Sequence, residues 1–386
     1  MQRRPSAHVR EGNQDVRDVR TLGIDPDQDT AAVIEALLTR HISVRREEAA
    51  RSSGRFAEDV IDLLADVVLR GGKRTRPAFL WWGWRGCGGA PRGAGAEAVL
   101  KVATALELIQ GCALIHDDLM DGSLLRRGAP AAHVAFANQH RAAGLRGNAD
   151  AFGVSAAILA GDLALVWADD LFETAGLDSR ARRAVGPAWQ AMRTETIAGQ
   201  YLDLYGQGTG VDSPEESLRV AYLKSGLYTV ERPLHLGAAM AGAGPELIAA
   251  LRRAGRSAGV AFQLRDDLAG VFGGPVRTGK PAGDDIRDGV STYLMAIALQ
   301  RARAHGRHEA ERRLRAALGN QELRAGELGR IQDLLTGLGA VAAVEARIGQ
   351  LAASALTALE QARLAPPADQ RLSALVRSVA APPAGT

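Results

Sequence analysis

The stretch IHDDLMDGSLLRRGAP, residues 115–130, sets Asp117, Asp118 and Asp121 close together and follows them with Arg126 and Arg127. Positions i and i+4 share one helical face, with i+1 about 100° round. Like charges at that spacing repel by roughly a few tenths of a kcal/mol. A cation between them turns that cost into a site. Oxygen-only ligands point to Mg²⁺, which keeps several waters and shares its shell with substrate phosphates. The arginines fit the same picture, because a planar guanidinium binds phosphate oxygens in pairs. The plainer alternative is a solvated acidic helix end with a charged loop.

The residues leading into this stretch read as one long helix, from the loop GCGGAPRGAGA (86–96) to about Asp121. Upstream, Asp29 and Thr30 look like a cap before Val33, Ile34, Leu37, Leu38 and Ile42, which recur at helical spacing. Phe56, Val60, Leu63, Leu64, Val67 and Val68 repeat the pattern and stop at Gly71-Gly72. Downstream, helices are predicted over 153–176, 180–205 with a kink at Pro187, 214–241, 246–272, 291–304, 308–317, 322–337 and 340–363, with a short one over 368–380. Alternating β-branched runs are absent, so helices packed on helices around one core remain. The reading is an all-α, single-domain helical bundle over 29–380, between a flexible N-terminal tail (1–28) and a C-terminal tail (381–386).

Bulk properties exclude several classes. Hydrophobic residues make up 46% of the 386 and charged residues 24%, ordinary for a globular chain with a sizeable core. A net charge of +3, without a basic run or basic-aromatic interleaving, argues against nucleic acid. Cys87 and Cys112 are the only cysteines, too few for a disulfide framework or a zinc site, which suits a reducing cytoplasm. The N-terminus lacks an apolar signal core, and no 18 consecutive residues are apolar, so no transmembrane segment is expected. The four lysines, Lys73, Lys101, Lys224 and Lys280, stand among many arginines. Each marks a place where a compact ammonium stands in preference to a guanidinium, and the two cations are not interchangeable at a crowded phosphate.

Three further stretches answer the first. FQLRDDLAGVFGGPVRTGKP (262–281) sets Asp266 and Asp267 on another long helix, with Gly279-Lys280 in the loop beyond. GGKRTRP (71–77) adds Lys73, Arg74 and Arg76 at a Gly turn whose N–H groups an anion can use. YLKSG (222–226) adds Lys224 and Ser225. Two acidic helix ends facing each other, rimmed by basic side chains, would hold a metal cluster.

Together these motifs resemble the trans-isoprenyl diphosphate synthase (polyprenyl synthetase) family over about residues 30–380, most closely in the phrasing of actinobacterial geranylgeranyl diphosphate synthases. GGKRTRP resembles GGKRxRP, DDLMD the first DDxxD, RRGAP with His133 the RRGxPxxH motif, and GQYLD (199–203) GQxxD. FQLRDD and TGKP are similar to the second acidic region and its lysine. The resemblance implies a helical bundle of the isoprenoid synthase type and a homodimer in the cytoplasm. It implies three Mg²⁺ ions held by Asp117, Asp121 and Asp266, with Asp118 and Asp267 beside them. Arg126, Lys224, Gln263 and Lys280 would grip the allylic diphosphate, with Ser225 in a place more often Thr. Gly72, Lys73, Arg76, Gln110 and Arg127 would hold isopentenyl diphosphate, with Phe262 beside its hydrocarbon part.

The implied reaction is head-to-tail prenyl transfer, and helix geometry bears on its product. Ala113, Cys112 and Ile109 lie four, five and eight residues before Asp117, one and two turns down the same helix at about 5.4 Å per turn. Ala113 and Cys112 are small enough to pass a fifteen-carbon tail, while Ile109 and Leu108 would form a floor, so geranylgeranyl diphosphate is the expected main product. The competing readings are a class I terpene cyclase and a non-catalytic partner subunit. GGKRTRP, Gln110 and Arg127 speak against the cyclase, which needs no second diphosphate site.

Two departures from the family pattern stand out. Gly270 replaces the third Asp of the second motif, and Val290 in DGVST (288–292) replaces a lysine, which predicts weakened ionisation of the allylic substrate. Other features take bland readings. DDLFE (169–173) reads as a helix-surface cluster, Asp162 as a buried hydrogen-bonding group, and His116 and His133 as supports. FLWWGW (79–84) reads as core or interface. GPVRTGK (274–280) mimics a phosphate loop, but Pro281 stands where Ser or Thr is needed.

Overall fold

The computed structural model describes residues 23–210, 213–274 and 282–382. The expected tail therefore falls mostly outside the described residues, as does Lys280. The architecture is all-α, and the two-residue strands Leu125–Arg126 and Ala129–Pro130 form the only sheet among the described residues. The described residues cluster into two compact units, those up to 77, 91–116 and 132–175 in one and 78–90, 117–131 and those from 176 onward in the other. Each draws on three separate stretches, so no cut in the chain divides them.

In the first unit, Thr30–Ser52 begins where Asp29 accepts a hydrogen bond from the N–H of Ala32 and buries Val33, Ile34, Leu37, Leu38 and Ile42. Ala149–Glu173, capped by Asn148, packs against Ala132–Ala142, a helix the sequence reading did not predict. The GGKRTRP turn has a buried anchor. Arg74, at φ 46°, donates to Val68 O (3.0 Å) and to the buried Glu107 Oε2 (2.8 Å) on Ala94–Met120. This pair holds the turn while Lys73 stays exposed beside it.

In the second unit the central helix Pro245–Phe272 packs against Ala340–Ala362 and against residues 222–231. Phe79, Leu80, Trp81, Trp82 and Trp84 are buried, so the aromatic run belongs to the core. The expected single helix over 214–241 is three pieces. Pro214–Ala221 and Arg232–Met240 are α-helical, and Tyr222–Glu231 between them is wound as a π-helix. Pro233 near the start of the last piece cannot donate to a preceding carbonyl, which favours such a change of winding.

One sequence expectation needs correction. Asp162 is not buried: its side chain is 62% exposed, with His116 Nε2 at 3.9 Å. Residue polarity alone did not reveal which face of Ala149–Glu173 it occupies. Ala94–Met120 and Ala149–Glu173 are long and apolar enough, by length and composition, to cross a membrane. A search for unbroken apolar runs misses them, because isolated polar residues interrupt Ala-rich helices without removing their mean apolarity.

Removing one partner of a buried ion pair leaves the other charge stranded, at about 3–5 kcal/mol. Glu107→Ala is therefore expected to lower the unfolding free energy in urea titration, by less than that full cost because Glu35 Oε1 still stands 3.5 Å from Arg74 Nη2. Replacing both groups, Glu107→Leu with Arg74→Met, should recover most of that loss.

Candidate active site

The first acidic motif stands at the C-terminal end of Ala94–Met120, where the helix dipole already disfavours carboxylates. Cations must offset that. Arg126 supplies one: its Nε donates to both carboxyl oxygens of the buried Asp118 (2.9 and 3.0 Å), and its Nη2 to Asp117 Oδ2 (3.3 Å). The strands pair Leu125 with Pro130 and Arg126 with Ala129, leaving a two-residue turn of Arg127 and Gly128 at φ 51° and 74°. A tight hairpin turn needs positive φ at both positions, and a non-glycine residue there is strained by roughly 1–2 kcal/mol. The turn sends Arg126 back onto the acidic helix end, while Arg127 is exposed.

Lys224 supplies the second cation, from the π-helix. Its Nζ lies 3.1 Å from Asp117 Oδ1 and 2.7 Å from Asp203 Oδ2. Burial opposes the ammonium charge, yet Asp117, Asp203 and Asp121 outweigh it and raise the lysine above its ordinary value. The helix Ser179–Thr209 explains this placement. Glu195, Gly199 and Asp203 recur every four residues and so share one face. Glu195 pairs with Arg232 (2.5 Å), and Asp203 with Lys224. A Cβ on Gly199 would lie 2.3 Å from the backbone nitrogen of Lys224, so only glycine admits the π-helix this closely.

The second acidic motif is near the end of Pro245–Phe272. Asp266 is exposed and Asp267 buried, accepting from Gln263 Nε2 at 2.7 Å. Burial, then Asp285, pushes the Asp267 carboxyl well above its usual range; the Gln263 hydrogen bond opposes this, and Asp266 and Asp203 add to the rise. Asp203 thus borders both acidic motifs.

Asp285 resolves the Gly270 departure. A Cβ on Gly270 would come 2.2 Å from Asp285 Oδ2, so the Asp285 carboxylate occupies the space a side chain at 270 would fill. The short helix Asp284–Arg287 is pinned there by the N–H of Gly283, which donates to Gly270 O at 2.8 Å. Val290 is half-buried in the same corner, its N–H donating to Asp285 O at 2.9 Å. Sequence reasoning missed Asp203 and Asp285 as site residues. GQYLD and the acidic pair Asp284-Asp285 were the available signals.

Among the described residues, no three acidic, imidazole or thiol groups form a ready-made metal cage. The donor set nevertheless suits Mg²⁺, because carboxylate oxygens dominate it and the crowding of Asp203, Asp266, Asp267 and Asp285 is what a hard cation relieves. In the other unit, Gly72 and Lys73 are exposed in their turn, and Arg76 and Gln110 are half-buried. Cys112 and Ile109 are buried, and Ala113 is half-buried. Ser225 and Phe262 are half-buried in the second unit.

The family model for polyprenyl synthetase matches residues 58–334. A crystal structure of geranylgeranyl pyrophosphate synthase from Corynebacterium glutamicum, complexed with isoprenyl diphosphate and magnesium, is similar with a TM-score of 0.86 and 42% identity, over 91% of this chain and 98% of that one. A geranylfarnesyl diphosphate synthase of Aeropyrum pernix is 34% identical, covering 63% of this chain and 70% of its own. A nonaprenyl diphosphate synthase of Mycobacterium tuberculosis is 32% identical, covering 70% and 73%. The products named for these relatives differ in length.

Alanine is favoured over glycine in a helix by about 1 kcal/mol. At 270 the close approach of Asp285 should reverse that sign. Gly270→Ala is expected to lower the urea midpoint, and adding Asp285→Ala to restore it; a simple gain from Gly270→Ala would contradict the packing described.

Proposed function

Because the chain belongs to the polyprenyl synthetase family, we propose that this prenyltransferase of isoprenoid synthesis condenses isopentenyl diphosphate with an allylic diphosphate head to tail, with geranylgeranyl diphosphate as its main product. The observation that carries the reading is the cation pair, Lys224 and Arg126, held against the carboxylates of Asp117 and Asp118. A diphosphate with its metal exchanges places within such a set at little reorganisation, since charges of both signs are already fixed there.

In this reading Asp117, Asp121 and Asp266, flanked by Asp118 and Asp267, hold three Mg²⁺ ions. When bound, the metal supplies Lewis-acid neutralisation of the departing pyrophosphate. Arg126, Lys224, Gln263 and Lys280 bind the allylic diphosphate. Asp203 keeps the Lys224 ammonium aimed at Asp117, and Ser225 offers a hydroxyl beside it. Gly72, Lys73, Arg76, Gln110 and Arg127 bind isopentenyl diphosphate, and Phe262 covers its hydrocarbon part. The strained φ of Arg127 supports its role, because backbone strain concentrates at working sites. The Asp285 carboxylate at Gly270 weakens the case for a non-catalytic subunit, since the second motif keeps three acidic groups.

We also propose a cytoplasmic homodimer without a transmembrane segment. Most of the apolar window of Ala94–Met120 is buried, as suits a bundle helix. Phe152, Leu159 and Val166 recur every seven residues on Ala149–Glu173 and are exposed, so they line one face that a second copy would cover.

The reading is tested first by turnover. Asp117→Ala or Asp121→Ala should remove nearly all transfer while helical content by circular dichroism stays intact, and Asp170→Ala should change neither. Equal sensitivity at Asp170 would refute the assignment.

Product length follows from Ala113 and Cys112 on the turn below Asp117 and Ile109 a further turn down. Cys112→Phe should shorten the product to fifteen carbons and Ile109→Ala should lengthen it, as read by chromatography of the hydrolysed prenols. An unchanged product from both variants would place the floor elsewhere.

A further inference from the structure

Away from the acidic motifs, Pro245–Phe272 and Ala340–Ala362 form a cleft of ≈ 590 Å³. One wall carries Arg252, Arg253 and Arg256, the other Ser354, Thr357 and Gln361, and no carboxylate lines it. The wall residues follow from helical spacing: 252, 253 and 256 share one face, as do 354, 357 and 361. Three cations on one face repel one another, and ordinary helix surfaces intersperse acids among them.

Two of the three arginines are held from behind. Glu231, 0% exposed, accepts from Arg252 Nε at 2.9 Å and from Arg256 Nε at 3.3 Å. Arg256 also lies over the ring of Tyr222, 4.9 Å from its centroid. Tyr222 in turn donates its hydroxyl to Glu231 at 2.7 Å. A single buried carboxylate thus orients two guanidinium forks and neutralises one charge of three. Arg253 is exposed and has no carboxylate partner among the described residues. The cleft keeps an excess of positive charge, with neutral hydrogen-bonding groups opposite.

From this arrangement we propose that the cleft is a second anion site, separate from the acidic motifs, that binds the diphosphate group. Its volume lies within the roughly 300–1,000 Å³ of small-molecule sites. Planar forks fixed in advance suit paired phosphate oxygens and lose little freedom on binding. Apart from Ala249 and Ala358, every residue lining the cleft carries a polar or charged group. The diphosphate can come free, as inorganic pyrophosphate, or as the head group of a short prenyl diphosphate. The proposal does not depend on the assigned reaction.

The test is isothermal titration of the full chain in EDTA, with inorganic pyrophosphate in one arm and dimethylallyl diphosphate in the other. Without divalent cations, Lys224 and Arg126 remain paired to Asp117, Asp118 and Asp203 and compete poorly; the titrations use a Lys73→Ala, Arg76→Ala background, which removes cations assigned to isopentenyl diphosphate, and transfer is assayed without those two changes. Arg253→Glu and Thr357→Glu, both at exposed positions, should each weaken binding at least about tenfold while prenyl transfer at saturating substrate is unchanged. Loss in both arms assigns the head group as ligand, and loss in the pyrophosphate arm alone assigns the free anion. Isotherms that superimpose on wild type in both variants, or no binding to the wild-type chain, overturn the proposal.

Discussion

Carboxylates crowded at the C-terminal end of a helix dominate this structure. The partial negative charge of the helix end adds to the repulsion among Asp117, Asp118 and Asp121, so the motif persists only with cations brought to it. Arg126 arrives by a tight strained turn and Lys224 by a π-helical segment. Much of the second unit can be understood as the scaffolding that delivers those two groups.

That delivery rests on close backbone approach. Gly199 lets the segment bearing Lys224 come within reach, and Asp203, one turn on, fixes the ammonium between two acids. The π-winding shifts the register of side chains after Tyr222, allowing one stretch to serve Lys224 at one end and the buried Glu231 at the other. Gly270 works in the same way, its missing side chain making room for the carboxylate of Asp285.

The family match and the all-α architecture agree with the motif reading, since each motif is short and its spacing is set by helical periodicity. The helix bounds near 245–272, 308–317 and 368–380 were legible for the same reason. Where the sequence reading missed, the cause was non-local. The break at 222–231 arises within a continuous apolar pattern, and the exposure of Asp162 depends on which face of its helix meets the core. Asp203 closes the GQYLD motif and Asp285 sits in an acidic pair, yet nothing near either in the chain reveals its partners.

By itself the sequence determined the helical class, the acidic and basic motifs and the two departures at Gly270 and Val290. Periodicity and spacing are local properties that survive without a fold. Only the tertiary structure decided which cation meets which acid. Lys224 and Asp203 are separated by 21 residues, and Asp285 meets Gly270 from a separate helix. Charges distant in the chain interact strongly only when packing brings them within a few ångströms and removes the water between them.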